Sequence, residues 1–107
     1  MRITVGKRWD LGAVYIGRPS PLGNPFIMRN QSDEERNRVC DAYEAWFKAQ
    51  LEENNPAMLD ELRRLYKLAR QGPLVLGCFC APKRCHGDTI KQFLCSKLPE
   101  RKDVQAE

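Results

Sequence analysis

The sequence predicts a small α/β domain: a mainly parallel, Rossmann-like sheet of three to four strands flanked by about three helices. Three observations predict it. Short apolar runs at 1–5, 13–16 and 74–80 have strand character, two capped amphipathic segments separate the second run from the third, and the third run feeds through a short loop into a segment of helical period. The domain is expected to span 1–98, with 99–107 a mobile tail.

In the first run Ile3 and Val5 alternate onto one face, and the polar stretch from Gly6 to Gly12 reads as a turn before the second run, Ala13 to Ile16. The segment GRPSPLGNPF from Gly17 to Phe26 follows. Two glycines and three prolines in ten residues preclude regular structure, while Arg18, Ser20, Gly23 and Asn24 supply polar and backbone groups suited to a ligand. The plainer reading is an ordered surface loop pinned by Leu22, Pro25 and Phe26.

Ser32 and Glu35 match a capping box, and Val39, Tyr43, Trp46, Phe47 and Leu51 form an apolar stripe, so a helix is expected from Ser32 to about Leu51. Cys40 beside that stripe reads as a small packing residue. Asn55-Pro56 opens a second helix with Leu59, Leu62, Tyr66 and Ala69 inward, stopped by Gly72-Pro73. Its Arg63, Lys67 and Arg70 make one face basic: either a solvated face paired to Asp60 and Glu61, or a surface that tracks phosphates. The run LVLGCFC, bounded by Gly72-Pro73 and Pro82, is the buried strand, and Asp88 is the expected N-cap of a last helix reaching about Leu98.

The connection from Ile16 to Val75 is long enough for a parallel crossover. The 17–26 loop and the 80–88 loop would then both leave carboxyl ends of nearby strands and face one crevice, where ligands of open α/β sheets bind.

Bulk properties set the limits. One domain of 107 residues, 42% apolar and 30% charged, is an ordinary globular composition rather than a disordered one. A net charge of +4, from 18 basic and 14 acidic residues, favours anionic partners without making a basic arm. Five cysteines, an odd number, with no apolar secretory stretch after Met1-Arg2 and no run of membrane-spanning length, predict reduced thiols and a cytoplasmic protein.

The unusual stretches together resemble a small domain family of bacteria and bacteriophages. The resemblance is carried by Gly17-Arg18, by Gly23-Asn-Pro-Phe26, by Tyr43 to Trp46, and by the eleven consecutive residues from Cys78 to Asp88, CFCAPKRCHGD. It spans about Ala13 to Leu94, supports the fold and points to a site, and implies no reaction. If the protein is phage-encoded, the expected compartment is the host cytoplasm.

Several chemistries suit the Cys78–Asp88 junction. Cys85, between Arg84 and His86 and close to a helix N-terminus, has the setting of a nucleophilic thiolate. His86, the one histidine, is suited to acid–base work with Asp88 as its orienting carboxylate. Cys78, Cys80, Cys85 and His86 make an alternative zinc set, although four ligands within nine residues close awkwardly. Cys78 followed five residues later by Arg84 has the spacing of cysteine-dependent phosphatases, yet the intervening loop lacks glycine and contains Pro82. The plain alternative keeps Cys85 and His86 as packing groups and Asp88 as a cap.

The reading that unites these residues is a crevice for a phosphate-bearing ligand, a nucleotide or nucleotide-sugar. Arg18, Ser20, Gly23, Asn24, Cys78, Cys80 and Arg84 would bind it, and His86, Asp88 and Cys85 would serve any transfer or hydrolysis at a phosphate or glycosidic bond. No cofactor is required, with zinc the alternative. The competing class is a non-enzymatic module that engages a host protein or nucleic acid through Arg63, Lys67 and Arg70.

Overall fold

The computed structural model describes residues 2–78 and 83–97. Three strands, β1 (Ile3–Lys7), β2 (Ala13–Tyr15) and β3 (Leu74–Cys78), form an all-parallel sheet in the order β1-β3-β2. Three helices accompany them: α1 (Asp33–Glu52), α2 (Pro56–Gln71) and α3 (Gly87–Lys97). The class is the expected one, and among the described residues the sheet has three strands, the lower of the expected three to four. The expected continuation of β3 through Cys80 and the 99–107 tail lie outside the described residues.

Strand β3 is central, with Ile3 opposite Leu74, Lys7 opposite Cys78, and Ala13 opposite Val75. Its Leu74, Leu76 and Cys78 point into the core, which they share with Leu65 and Ala69 of α2 and Ile90 and Leu94 of α3. Tyr43 and Phe47 of α1 close the same cluster, so the stripe read from the α1 sequence is core.

The described helices pack on that one face, which makes a two-layer domain rather than a doubly wound sheet covered on both sides. The reason is the β1–β2 link. It is five residues long and cannot hold a helix; it crosses the far face of β3 instead, with Arg8 N–H donating to the Cys78 carbonyl at 3.1 Å. Gly77 permits the crossing, because a Cβ there would stand 2.9 Å from the Arg8 Cα. Residues Gly6 and Lys7, expected in a turn, instead continue β1 opposite Gly77 and Cys78.

Helix boundaries fall within a residue or so of expectation, with differences in the caps. Ser32 Oγ accepts from Glu35 N–H at 3.1 Å, which is half of a capping box. The Glu35 carboxylate does not return to Ser32; it takes Arg29 N–H at 2.8 Å and Arg38 Nε at 2.9 Å. These guanidiniums, Arg38 foremost, hold its carboxyl well below the usual range. Asn55 caps α2 as expected, accepting from Met58 N–H. No helix among the described residues is long and apolar enough to cross a membrane.

Candidate functional site

Parallel β2 and β3 end side by side, so the segments that leave them meet. His86 Nε2 lies 2.8 Å from the Ile16 carbonyl oxygen, joining the residue after β2 to the residue before α3. Around this junction is a cavity of about 480 Å³, open to solvent and bounded by the 15–28 segment, the first turns of α1 and the 84–86 segment.

The 17–26 loop holds its shape through its own polar groups. Gly23 N–H donates to the Ser20 carbonyl at 2.8 Å, and Leu22 N–H to Ser20 Oγ at 3.2 Å. A Cβ on Gly23 would stand 2.7 Å from Arg18 N, so only glycine permits this closeness. Asn24 Oδ1 accepts from Phe26 N–H at 2.8 Å while its Nδ2 donates to the Val39 carbonyl at 3.3 Å, fastening the loop to α1. Tyr43 Oη donates to the Leu22 carbonyl at 2.8 Å, and burial pushes its phenol pKa up, so it stays a donor.

Of the residues expected to bind a ligand, Arg18, Asn24, Cys78 and Arg84 line the cavity, as do Cys85 and His86. Ser20 and Gly23 do not: they build the loop that carries Arg18. Cys80 lies outside the described residues. Arg84 stands at the rim, donating to Asn37 Oδ1 at 3.0 Å and Asp41 Oδ1 at 2.8 Å, so it straps the 83–86 segment to α1. That placement departs from the phosphatase-like reading, in which the arginine would face the Cys78 sulfur.

The expected His86–Asp88 pair is also corrected. The Asp88 carboxylate accepts from Cys85 N–H at 3.3 Å and lies outside the cavity lining, because α3 starts at Gly87 and places Asp88 in its first turn. The imidazole is oriented by the Ile16 carbonyl, which only an N–H can satisfy, so Nε2 bears the hydrogen and Nδ1 is the acceptor. Burial, with 8% of His86 exposed, lowers its pKa; the Ile16 contact and Asp88 oppose that shift and Arg18 adds to it. Tyr43 packs against the ring edge-on at 5.0 Å. His86 is therefore a neutral imidazole at the cavity wall.

Cys85 is not set up as a lone thiolate. Its sulfur lies 3.0 Å from that of Cys78, and this contact, followed by burial, pushes its pKa up despite a Gly87 N–H at 3.3 Å. Among the described residues no three His, Cys, Asp or Glu side chains are grouped so as to hold a metal ion. Two thiolates on a tetrahedral zinc stand roughly 3.7 Å apart, wider than this pair.

The residue that sequence reading missed is Arg36. It lies in the first turn of α1, is 6% exposed, lines the cavity, and its Nε has no hydrogen-bond partner among the described residues. Among the described residues no carboxylate pairs with it, since the nearby acid, Glu35, is taken by Arg29 and Arg38. The signal was present in position alone: Arg36 stands three residues before Val39 and seven before Tyr43, on the inward stripe. Apolar wall is supplied by Tyr15, Phe26, Met28 and Val39.

The basic face of α2 is largely self-satisfied. Arg63 pairs with Asp60 and Arg64 with Glu61, each at three-residue spacing, and Arg70 lies over the Tyr66 ring.

Residues 2–96 match the family described as Domain of unknown function (DUF4326), so the chain belongs to that family. No curated protein and no solved structure matches it.

Proposed function

Since the family carries no assigned activity, we propose from the site that this protein binds a phosphate-bearing ligand, a nucleotide or nucleotide-sugar, in the cavity between the 17–26 and 83–88 segments. One observation carries the reading: a guanidinium, that of Arg36, is buried at the cavity wall with an Nε that has no partner among the described residues. A buried cation without a counter-charge costs several kcal/mol, and an anion in the cavity removes that cost. Arg18, which forms no ion pair among the described residues, stands on the opposite loop and supplies the second cation. Two guanidiniums suit the oxygens of a phosphate or diphosphate. The apolar wall of Tyr15, Phe26 and Met28 suits a base or sugar, and about 480 Å³ is within the range of small-molecule sites.

In this reading His86 Nδ1 is the group able to take a proton from an attacking hydroxyl or water during transfer or hydrolysis at a phosphate or glycosidic bond. Asp88 acts on the backbone that carries His86 rather than on the ring. A bacterial or bacteriophage source and a cytoplasmic location belong to the same reading, the cytoplasm being where nucleotides are concentrated.

Thermal-shift measurement against nucleoside mono- and diphosphates, nucleotide-sugars and the parent nucleosides tests it. Phosphorylated compounds are expected to raise the melting temperature and nucleosides to leave it unchanged; equal responses to both would overturn the assignment.

A further inference from the structure

At the floor of the cavity two cysteines from different elements meet. Cys78 ends β3, Cys85 stands two residues before α3, and their sulfurs are 3.0 Å apart. That separation is shorter than the roughly 3.7 Å of two zinc-bound thiolates and longer than the roughly 2.05 Å of a disulfide. A closing movement of about 1 Å separates the pair from a covalent bond. Both residues are 2–3% exposed, yet both line the cavity, so a small solute reaches them from that side. Neither is used by the ligand reading above, which depends on Arg36 and Arg18.

We propose that Cys78 and Cys85 are a dithiol–disulfide couple, oxidised by a small hydroperoxide admitted through the cavity. In the first step the Cys78 thiolate attacks one peroxide oxygen: an S–O bond forms, the O–O bond breaks, and the leaving oxygen takes a proton as water or alcohol. The product is a Cys78 sulfenic acid. In the second step the Cys85 sulfur attacks the Cys78 sulfur: the S–S bond forms, the S–O bond breaks, and hydroxide leaves as water with the Cys85 proton. Two electrons pass from the two thiols to one peroxide, and the products are one disulfide and two hydroxylic molecules.

The local structure assigns the order. Either sulfur can donate across the 3.0 Å contact, and that contact, followed by burial, pushes the Cys85 pKa up, so Cys85 is assigned the proton and Cys78 the role of attacking sulfur. The Gly87 N–H on Cys85 Sγ, at 3.3 Å, then stabilises the charge that develops when Cys85 gives up that proton. The couple needs no ligand in the cavity, so it stands or falls apart from the nucleotide reading.

The test uses the full chain carrying Cys95→Ser, which removes an exposed thiol outside the site. The protein is treated with one equivalent of hydrogen peroxide in the presence of a chelator, alkylated without reduction, and digested with trypsin. Mass spectrometry is expected to show loss of two alkylatable thiols per chain and one cross-link between the peptides that hold Cys78 and Cys85. Fragment ions place the link on Cys78 rather than Cys80, and dithiothreitol restores both thiols. The same treatment of the Cys85→Ser chain is expected to leave a Cys78 sulfenic acid trapped by dimedone. If Cys85→Ser fails to fold, the cross-link in the Cys95→Ser chain decides alone. No thiol loss, a link to Cys40 or Cys80, or cross-linking only after denaturation would overturn the proposal.

Discussion

Replacing Arg36 with methionine should make the unliganded protein more stable and weaken its ligand site. The side chain is 6% exposed, and among the described residues its Nε has no partner and no carboxylate offsets its charge. An unsatisfied buried donor costs about 1–3 kcal/mol, and apolar replacement of buried charge is often stabilising by a similar amount. Methionine keeps the length of the stem and adapts to the cavity wall. Net gain is therefore about 1–3 kcal/mol, and each kcal/mol raises the melting temperature of a domain this small by about 4–8 °C. Urea titration followed by circular dichroism reads the difference directly, with an unchanged m-value showing that compactness is preserved. A saturating phosphate ligand should close that gap, because binding stabilises the wild type by about 1.4–2.7 kcal/mol more than a variant of 10- to 100-fold weaker affinity. A loss of stability in Arg36→Met without ligand would refute the reasoning, since breaking a satisfied buried ion pair costs about 3–5 kcal/mol.

Other substitutions probe the parts that shape the site. His86 has its pKa lowered by burial, so the unfolded chain binds a proton near pH 6.5 that the native state refuses. Stability should fall with decreasing pH below that value, with a slope of up to about 1.4 kcal/mol per pH unit, and His86→Gln should flatten the slope between pH 6.5 and 5. Asn24→Ala removes the bonds to Phe26 N–H and the Val39 carbonyl and should cost about 1–2 kcal/mol in urea denaturation. Gly77→Ala should cost about 1–3 kcal/mol, because its Cβ meets the Arg8 backbone at 2.9 Å. Gly72→Ala is its control: the site is open and the backbone extended, so stability should change by less than about 0.5 kcal/mol.

The fold was legible because its signals are local. Ser32 and Asn55 start their helices through side-chain bonds to the third residue on, and the α1 stripe of Val39, Tyr43 and Phe47 is buried as its period requires. What could not be read was the one-sided sheet, since that depends on Gly77 letting a short link pass over β3. The place of the cavity was legible. Arg18, Asn24, Arg84, Cys85 and His86 do converge, but which group each one touches is a tertiary matter. Asp88 is two residues from His86 and bonds to Cys85, while Ile16, seventy residues away, orients the imidazole. Arg36 was hidden by its surroundings in the sequence: it is one of several arginines in a charged helix start, and only the capture of Glu35 by Arg29 and Arg38 leaves it without an acid among the described residues.

The most direct test of the anion cavity is isothermal titration calorimetry of the wild type and Arg36→Met with a nucleoside diphosphate and with its parent nucleoside. The account predicts that the wild type binds the diphosphate and not the nucleoside, and that Arg36→Met weakens binding by about 10- to 100-fold, the worth of one charge-assisted hydrogen bond. Diphosphate affinity that is equal in the two proteins, or absent from the wild type, would contradict it.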